Sequence, residues 1–219
     1  MELKIDGKVR IRFPDFNIII KKLDDIIIEK NNNDLENYKT EVLNEISKKY
    51  NLSSLKDEKI FRVYRNFFWG IGVDPTKIRP AAEALIRRVL AGKTIPEINN
   101  LVDAYNLTSI KTGIPLAAFD NSKIINGITA RFAKPNEEFF GIGMKDPQNL
   151  KGNEVIITDE EKIIAVYPYR DSNETKITNL TKSIQLMICG VPQISKDILL
   201  KTESIAIQNI TKFCINNRK

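Results

Sequence analysis

RVYRNFFWGIGVDPTKIRPAAEALIRRVLAGKTIPEINNLVDAYNLTSIKTGIPLAAFD, residues 62–120, runs through three helical periods and then turns into an apolar strand. Phe61, Tyr64, Phe68 and Ile71 share one helical face, and Arg62, Arg65 and Trp69 share another. That spacing predicts a helix over 58–69, stopped by Gly70-Ile71-Gly72 and the turn Asp74-Pro75-Thr76. Pro80 suits the first turn of a helix over 80–91, which Gly92 ends. Residues 99–109 read as a further helix, and PLAAFD (115–120) as a strand.

Towards the N-terminus, residues 2–12 alternate in short pieces and read as strand, with Asp6-Gly7 as a turn. The isoleucine triplets 18–20 and 26–28, separated by Lys-Lys-Leu-Asp-Asp, leave strand then helix as an open reading. Leu35, Tyr38, Val42, Ile46 and Tyr50 set a helical period over 35–51. Beyond residue 120, GITARFA, VIITD, KIIAVYPY and SIQLMICG are short strands separated by Asp, Asn, Gly and Pro, and 195–215 is an amphipathic helix. Helices, then strands, then a helix make α+β the expected class, with a sheet-rich, sandwich-like second half. The expected division is a lead-in over 1–57, packed on the core, and one main domain over 58–219.

The 219 residues are 42% hydrophobic and 28% charged, the balance of a globular chain, and no apolar run approaches a membrane span. The charged start, Met-Glu-Leu-Lys-Ile-Asp, has no signal-peptide core, so a cytoplasmic protein is expected. Cys189 and Cys214 form no metal spacing and read as two buried thiols. A net charge of +6 fits either a polyanionic partner or solvated lysines.

The chain has no histidine, which removes Ser-His-Asp and Cys-His catalysis and the HExxH zinc motif. It has no phosphate-cradling GxxxxGK[ST], and no Asp/Glu cluster marks a metal site, so no cofactor and no metal are expected. Arg62 and Arg65 stand beside Phe67, Phe68 and Trp69. They fit either phosphate gripping with base stacking, or a core whose arginines pair with carboxylates. Arg79, Glu83 and Arg87 form a four-residue ladder that suits surface pairing. Asn99, Asn100, Asp103 and Asn106 are unusually dense in short polar groups for a helix. Asn99, Asp103 and Asn106 fall near one face, where they line a polar pocket or bond the nearby backbone. Arg170-Asp171-Ser172 follows the strand end Tyr167-Pro168-Tyr169, either a site or a salt-bridged turn.

INNLVDAYNLTSIKTGIPLAAFD, residues 98–120, resembles a segment of the phenylalanyl-tRNA synthetase β subunit: Ile-Asn-Asn-x-Val-Asp-x-Thr-Asn, then Gly-x-Pro and His-Ala-Phe-Asp. Asn106 falls on the family Asn and Asp120 on the family Asp. GITARFAKPNEEF (127–139) and TKITNLTKSI (175–184) resemble the next family stretches in the same order. The resemblance covers roughly 60–190 and corresponds to the tRNA-binding and editing domain, the third and fourth modules of that subunit. YRxFFxxxGVDPTKxRPxxEALxRR and RDS-x-x-T make the chain more similar still to free-standing relatives of that domain. Three positions depart from the synthetase pattern: Ala117 replaces the family His, Tyr105 the Thr, and Asn173 falls near the family Glu.

The resemblance implies a three-layer β-sandwich of unusual topology with packed helices. It implies a trans-acting deacylase that hydrolyses an amino acid ester on the tRNA 3′ end. The alternatives are a non-catalytic RNA-binding module of the same fold and a small-molecule amino-acid binder. On this reading Asn106, Asp171 and Thr175 position the attacking water. Asn99, Asp103, Tyr105, Ala117, Arg170 and Ser172 surround the substrate, and Arg62, Arg65, Arg87 and Arg88 hold the tRNA. The expected partner is tRNA, with no membrane.

Overall fold

A computed structural model describes residues 2–215. Its elements run β1 (Leu3–Ile5), α1 (Gly7–Arg12), β2 (Ile18–Leu23), α2 (Asn33–Lys49), α3 (Lys59–Gly70), α4 (Ala81–Leu90), α5 (Asn100–Thr112), β3 (Leu116–Asp120) and β4 (Ile128–Phe132). They continue as β5 (Glu138–Phe139), β6 (Gln148–Asn149), β7 (Val155–Thr158), β8 (Ile163–Val166), β9 (Arg170–Asp171), β10 (Ile184–Cys189) and α6 (Lys196–Cys214). Short 3₁₀ turns precede α3 and follow β3. The fold is α+β.

A five-stranded sheet has the order β1-β4-β7-β8-β9, a three-stranded sheet the order β2-β10-β3, and β5-β6 form a small ribbon. β1 lies parallel to β4, and β2 lies antiparallel to β10, so the first 23 residues supply one strand to each main sheet. β3, β7, β8 and β10 are buried at every residue, which requires cover on both faces. One continuous core joins both sheets to α2–α6. Along β7 the pleat divides the side chains: Val155 and Ile157 enter that core, while Ile156 joins a second cluster with Phe139, Leu150 and Val166.

Residues 7–12, read from sequence as strand, are helical instead. Asp6 caps that turn by accepting from the Lys8 amide at 2.8 Å, a local bond that outweighs the weak alternation. Ile26–Ile28 form no helix; Ile26 makes a single antiparallel bridge to Ile215. The other sequence-predicted helices and strands form within a few residues of their expected bounds. α5 begins at Asn99, whose side chain accepts from the Val102 amide, and ends at Gly113 with φ 76°.

Two joints hold the layers. The Tyr64 hydroxyl on α3 donates to the Cys189 carbonyl at 2.6 Å, and the Tyr167 hydroxyl donates to the next carbonyl, Gly190. A Cβ on Gly190 would come within 2.4 Å of the Asn17 carbonyl oxygen and 2.5 Å of Leu199, so only glycine lets β10 turn there. Between α3 and α4, Glu83 is fully buried and accepts twice from Arg65 and once from Arg87. Burial pushes its carboxyl pKa up, but the two guanidiniums outweigh that and hold it below the usual value.

Gly190→Ala is expected to cost about 1–3 kcal/mol through overpacking, read as a lowered urea midpoint with unchanged slope. Glu83→Ala strands two arginines that keep some solvent contact, so it should cost about 2–3 kcal/mol at pH 7. Because the Glu83 pKa is depressed on folding, its contribution exists above pH 4.5 and disappears as pH falls through the folded value. Stability against pH should therefore fall less steeply below pH 4.5 in the variant.

Candidate functional site

α5 places Tyr105 and Asn106 over the ends of two strands that converge from different sheets. β3 brings Leu116 and Ala117, and its antiparallel partner β10 brings Met187, opposite Ala117, and Cys189. From the other sheet come Ala165 and Val166 of β8, then the cis-peptide turn Tyr167-Pro168, then Asp171 of β9, opposite Ala165. Ala81, at the start of α4, closes one side. These residues enclose a cavity of about 150 Å³. A dry cavity of that size elsewhere admits a benzene-sized molecule.

The walls are mostly apolar, and the polar groups are few. Asn106 offers an amide and is half-buried. Asp171 offers a carboxyl that accepts no hydrogen bond from the described residues. Protein surrounds this carboxyl, although the residue keeps some accessible surface. Burial pushes its pKa up to about 7, against the opposing pull of the neighbouring Arg170 guanidinium. The Tyr105 phenol is pushed up by burial, then by Asp171 and Asp103, so it stays protonated and can donate. The Cys189 thiol is pushed up by burial and by Asp171, so it is no thiolate nucleophile at neutral pH. One group that titrates near neutrality, beside an amide and a protonated phenol, can position and deprotonate water. Among the described residues no group of three or more His, Cys, Asp or Glu side chains is placed to hold a metal ion.

Of the residues expected from sequence, Asn106, Tyr105, Ala117 and Asp171 meet at this cavity. Others do not. Asn99 caps α5, and Asp103 accepts from the Ile98 amide in a separate depression with Asn31, Glu36 and Glu97. Asn99 and Asn106 do share a helical face, but seven residues carry them about 10 Å apart along the axis, too far for one small cavity. The buried Ser172 hydroxyl accepts from the Glu174 amide. Thr175 is fully buried; its carbonyl accepts from the Asp120 amide, and its hydroxyl has no partner among the described residues. Arg170 is exposed and donates to the Ile142 carbonyl.

The four arginines assigned to RNA separate as well. Arg65 and Arg87 are committed to Glu83, and Arg88 donates to the Thr94 carbonyl. Arg62 is exposed in a shallow groove with Asp57 and Asn66. Pro168, Tyr169, Met187, Cys189 and Ala81 line the cavity without having been singled out as site residues. Tyr169 had a signal, because it ends the strand before Arg170. Pro168 shares that strand end; Ala81 had no signal, and Met187 and Cys189 read as core, because here core and cavity wall are the same surface.

The B3/4 domain family model matches residues 63–209. The phenylalanine--tRNA ligase β subunit of Fusobacterium nucleatum is 35% identical over 117 residues, covering 53% of this chain and 14% of that one. The Aquifex aeolicus β subunit is 35% identical over 115 residues, covering 50% and 15%. The chain thus spans about one seventh of the length of these relatives. An N-terminal fragment of the phenylalanyl-tRNA synthetase β subunit from Pyrococcus horikoshii superimposes with a TM-score of 0.55 over 96% of this chain and 48% of that one, at 11% identity. That likeness is one of fold. The match over 63–209 covers α4, α5, most of α3 and every strand from β3 to β10, and so every residue of the cavity wall; the chain belongs to the B3/4 domain family.

Proposed function

We propose that the protein is a tRNA-binding deacylase that hydrolyses an amino acid ester at the tRNA 3′ end. The observation that carries this reading is Asp171, a carboxyl raised to about 7 in a cavity the size of one side chain, beside Asn106 and Tyr105. The relatives' name, phenylalanine--tRNA ligase β subunit, supports tRNA as the substrate class.

The amino acid side chain enters the cavity and the ester stays at its mouth. Asn106 and the Asp171 carboxylate hold a water, and Asp171 takes its proton as the water adds to the carbonyl. The protonated Tyr105 phenol donates to the developing oxyanion. The tetrahedral adduct then expels the ribose oxygen, which takes up a proton and leaves as the free hydroxyl. No covalent enzyme intermediate is needed, because the ester is intrinsically labile and positioning supplies most of the acceleration. The Ala117 methyl leaves room where a synthetase-like site would carry imidazole, so selectivity comes from cavity shape and the Tyr105 and Asn106 contacts.

Single-turnover hydrolysis of a panel of correctly and incorrectly charged tRNAs tests the reading. At least one ester should disappear faster than in buffer. After subtraction of the hydroxide background, its rate should climb roughly tenfold per pH unit below about 7 and level off above. Asp171→Asn should lower it by about 10²–10⁴ and remove the pH inflection. Asn106→Ala should lower it less, by roughly tenfold or more. If no charged tRNA is hydrolysed but RNA still binds, the binding-module reading, favoured by Ala117 at the family His position, replaces this one.

Asp171 also predicts a stability effect that is independent of substrate. Its pKa is raised on folding, so the unfolded state loses this proton first, and stability declines as pH rises from 3.8 towards 7. Asp171→Asn should abolish that decline and be the more stable protein at pH 8, on the order of 2 kcal/mol. Denaturant midpoints across pH 4–8 measure it.

A further inference from the structure

The arginines first assigned to RNA are largely spent on Glu83 and on backbone carbonyls, yet the chain carries a net charge of +6. Unspent positive charge lies elsewhere. A groove of about 490 Å³ runs between α1 and the β4–β5 connection, lined by Lys8, Arg12, Arg131, Phe132, Lys134 and Pro135, among others. Among the described residues no carboxylate pairs with Lys8, Arg12 or Lys134, and all three are exposed. The carboxylates beside it are occupied: Asp6 caps α1, Glu137 pairs with Arg131, and Glu154 accepts from the amides of Lys151, Gly152 and Asn153.

The Arg12 guanidinium is held in place rather than free. It lies 5.6 Å above the Phe132 ring and 5.7 Å from the Phe13 ring, and it donates to the Gly70 carbonyl. That bond brings the Gly70 carbonyl, at the end of α3, against the groove, and Trp69, the residue before Gly70, is 57% exposed. Ile11, the residue before Arg12, is 82% exposed. Unpaired cations, a pre-positioned guanidinium and an indole left in solvent make the combination that binds a single-stranded or hinged RNA backbone: phosphates along the groove and a base on the ring.

The groove also stands near the cavity. Arg131 is in register with Ile156 of β7, and Ile156 with Val166 of β8, a cavity-wall residue. Two strand spacings separate Arg131 from Val166, about 10 Å. The geometry points to this groove, formed by Lys8, Arg12 and Lys134 next to the exposed Trp69 end of α3, as the surface that holds the RNA phosphodiester backbone. The identity of that RNA as tRNA rests on the deacylase reading; the groove itself does not.

Binding of fluorescently labelled, deacylated tRNA, followed by anisotropy from 50 to 200 mM salt, tests the assignment. The wild-type protein should bind with a steep salt dependence. Lys8→Ala and Lys134→Ala should each reduce the salt slope by about one, and the double charge reversal Lys8→Glu/Lys134→Glu should weaken binding at least tenfold. Trp69→Ala should weaken it roughly five- to a hundredfold with little change in slope. Lys48→Glu/Lys201→Glu, exposed changes of equal total charge on α2 and α6, should leave affinity within about twofold. All these positions are exposed, so far-UV circular dichroism and the urea midpoint should match the wild type. Absence of wild-type RNA binding, or equal losses from Lys48→Glu/Lys201→Glu and the groove reversal, overturns the proposal. Parallel hydrolysis assays separate the two readings. Groove variants that lose binding while no charged tRNA is ever hydrolysed leave the groove standing and the deacylase fallen. Hydrolysis with unaltered binding in the groove variants does the reverse.

Discussion

Two phenol hydroxyls donating to consecutive carbonyls at the end of β10 fix the relation between everything else. Tyr64 comes from α3, Tyr167 from the end of β8, and Cys189 and Gly190 from the three-stranded sheet. Both rings are fully buried, so neither hydroxyl has water as an alternative partner, and losing either bond would leave a buried carbonyl unsatisfied. The joint stands directly beside the cavity. Cys189 is part of its wall, and Tyr167 is followed by Pro168, Tyr169 and Asp171, which also belong to its lining or lead into it. The bare Cα of Gly190 is the condition for the joint, because the Asn17 carbonyl and the Leu199 methyls take the space a side chain would need. A cavity between two sheets survives here because hydrogen bonds, and not packing alone, keep the sheets at their separation.

The polar content of the cavity is sparse. A carboxyl without a donor is an expensive thing to keep in protein, and Asp171 shows that cost as a raised pKa. Glu83 is the contrast within the same molecule. Its side chain has no accessible surface, yet Arg65 and Arg87 hold it ionised. The two acids differ in their partners: Glu83 is bonded by two guanidiniums, and Asp171 accepts from none among the described residues. Glu83 has become a structural clamp, and Asp171 has been left able to change charge near neutrality.

How much of this was legible in the sequence follows the same division. The helices α2–α6 and the strands β3, β4, β7, β8 and β10 were readable because their apolar periods are long and their stops are Gly, Pro or Asn. α1 was not, because six residues give too little period to outvote a local Asp cap. Tyr105, Asn106, Ala117 and Asp171 were legible as site candidates through family resemblance and strand-end position. Met187 and Cys189 were not, because a strand buried on both faces looks the same whether one face meets side chains or a void. A density of short polar groups and a shared helical face brought Asn99 and Asp103 into the expected set. Spacing tells which face a residue lies on, but not how far along the axis the cavity reaches. Arg65 and Arg87 illustrate a related limit: Glu83 was placed in a ladder with Arg79 and Arg87, whereas the third partner came from the preceding helix.

The sheet order β2-β10-β3 has a consequence for assembly. Its central strand is the last of the ten among the described residues, and both neighbours precede it, one of them by more than 160 residues. Neither neighbour can be paired until residues 184–189 are available, so this sheet cannot grow outward from a hairpin. A ribosome-bound chain must carry β2, with Ile18–Ile20, and later β3 as unpaired strands until residues 184–189 emerge. Closing such a distant pair is entropically slow and leaves apolar strand edges open to other molecules. The half-folded chain is therefore the aggregation-prone species, and the insertion of one strand between two waiting ones ends that exposure.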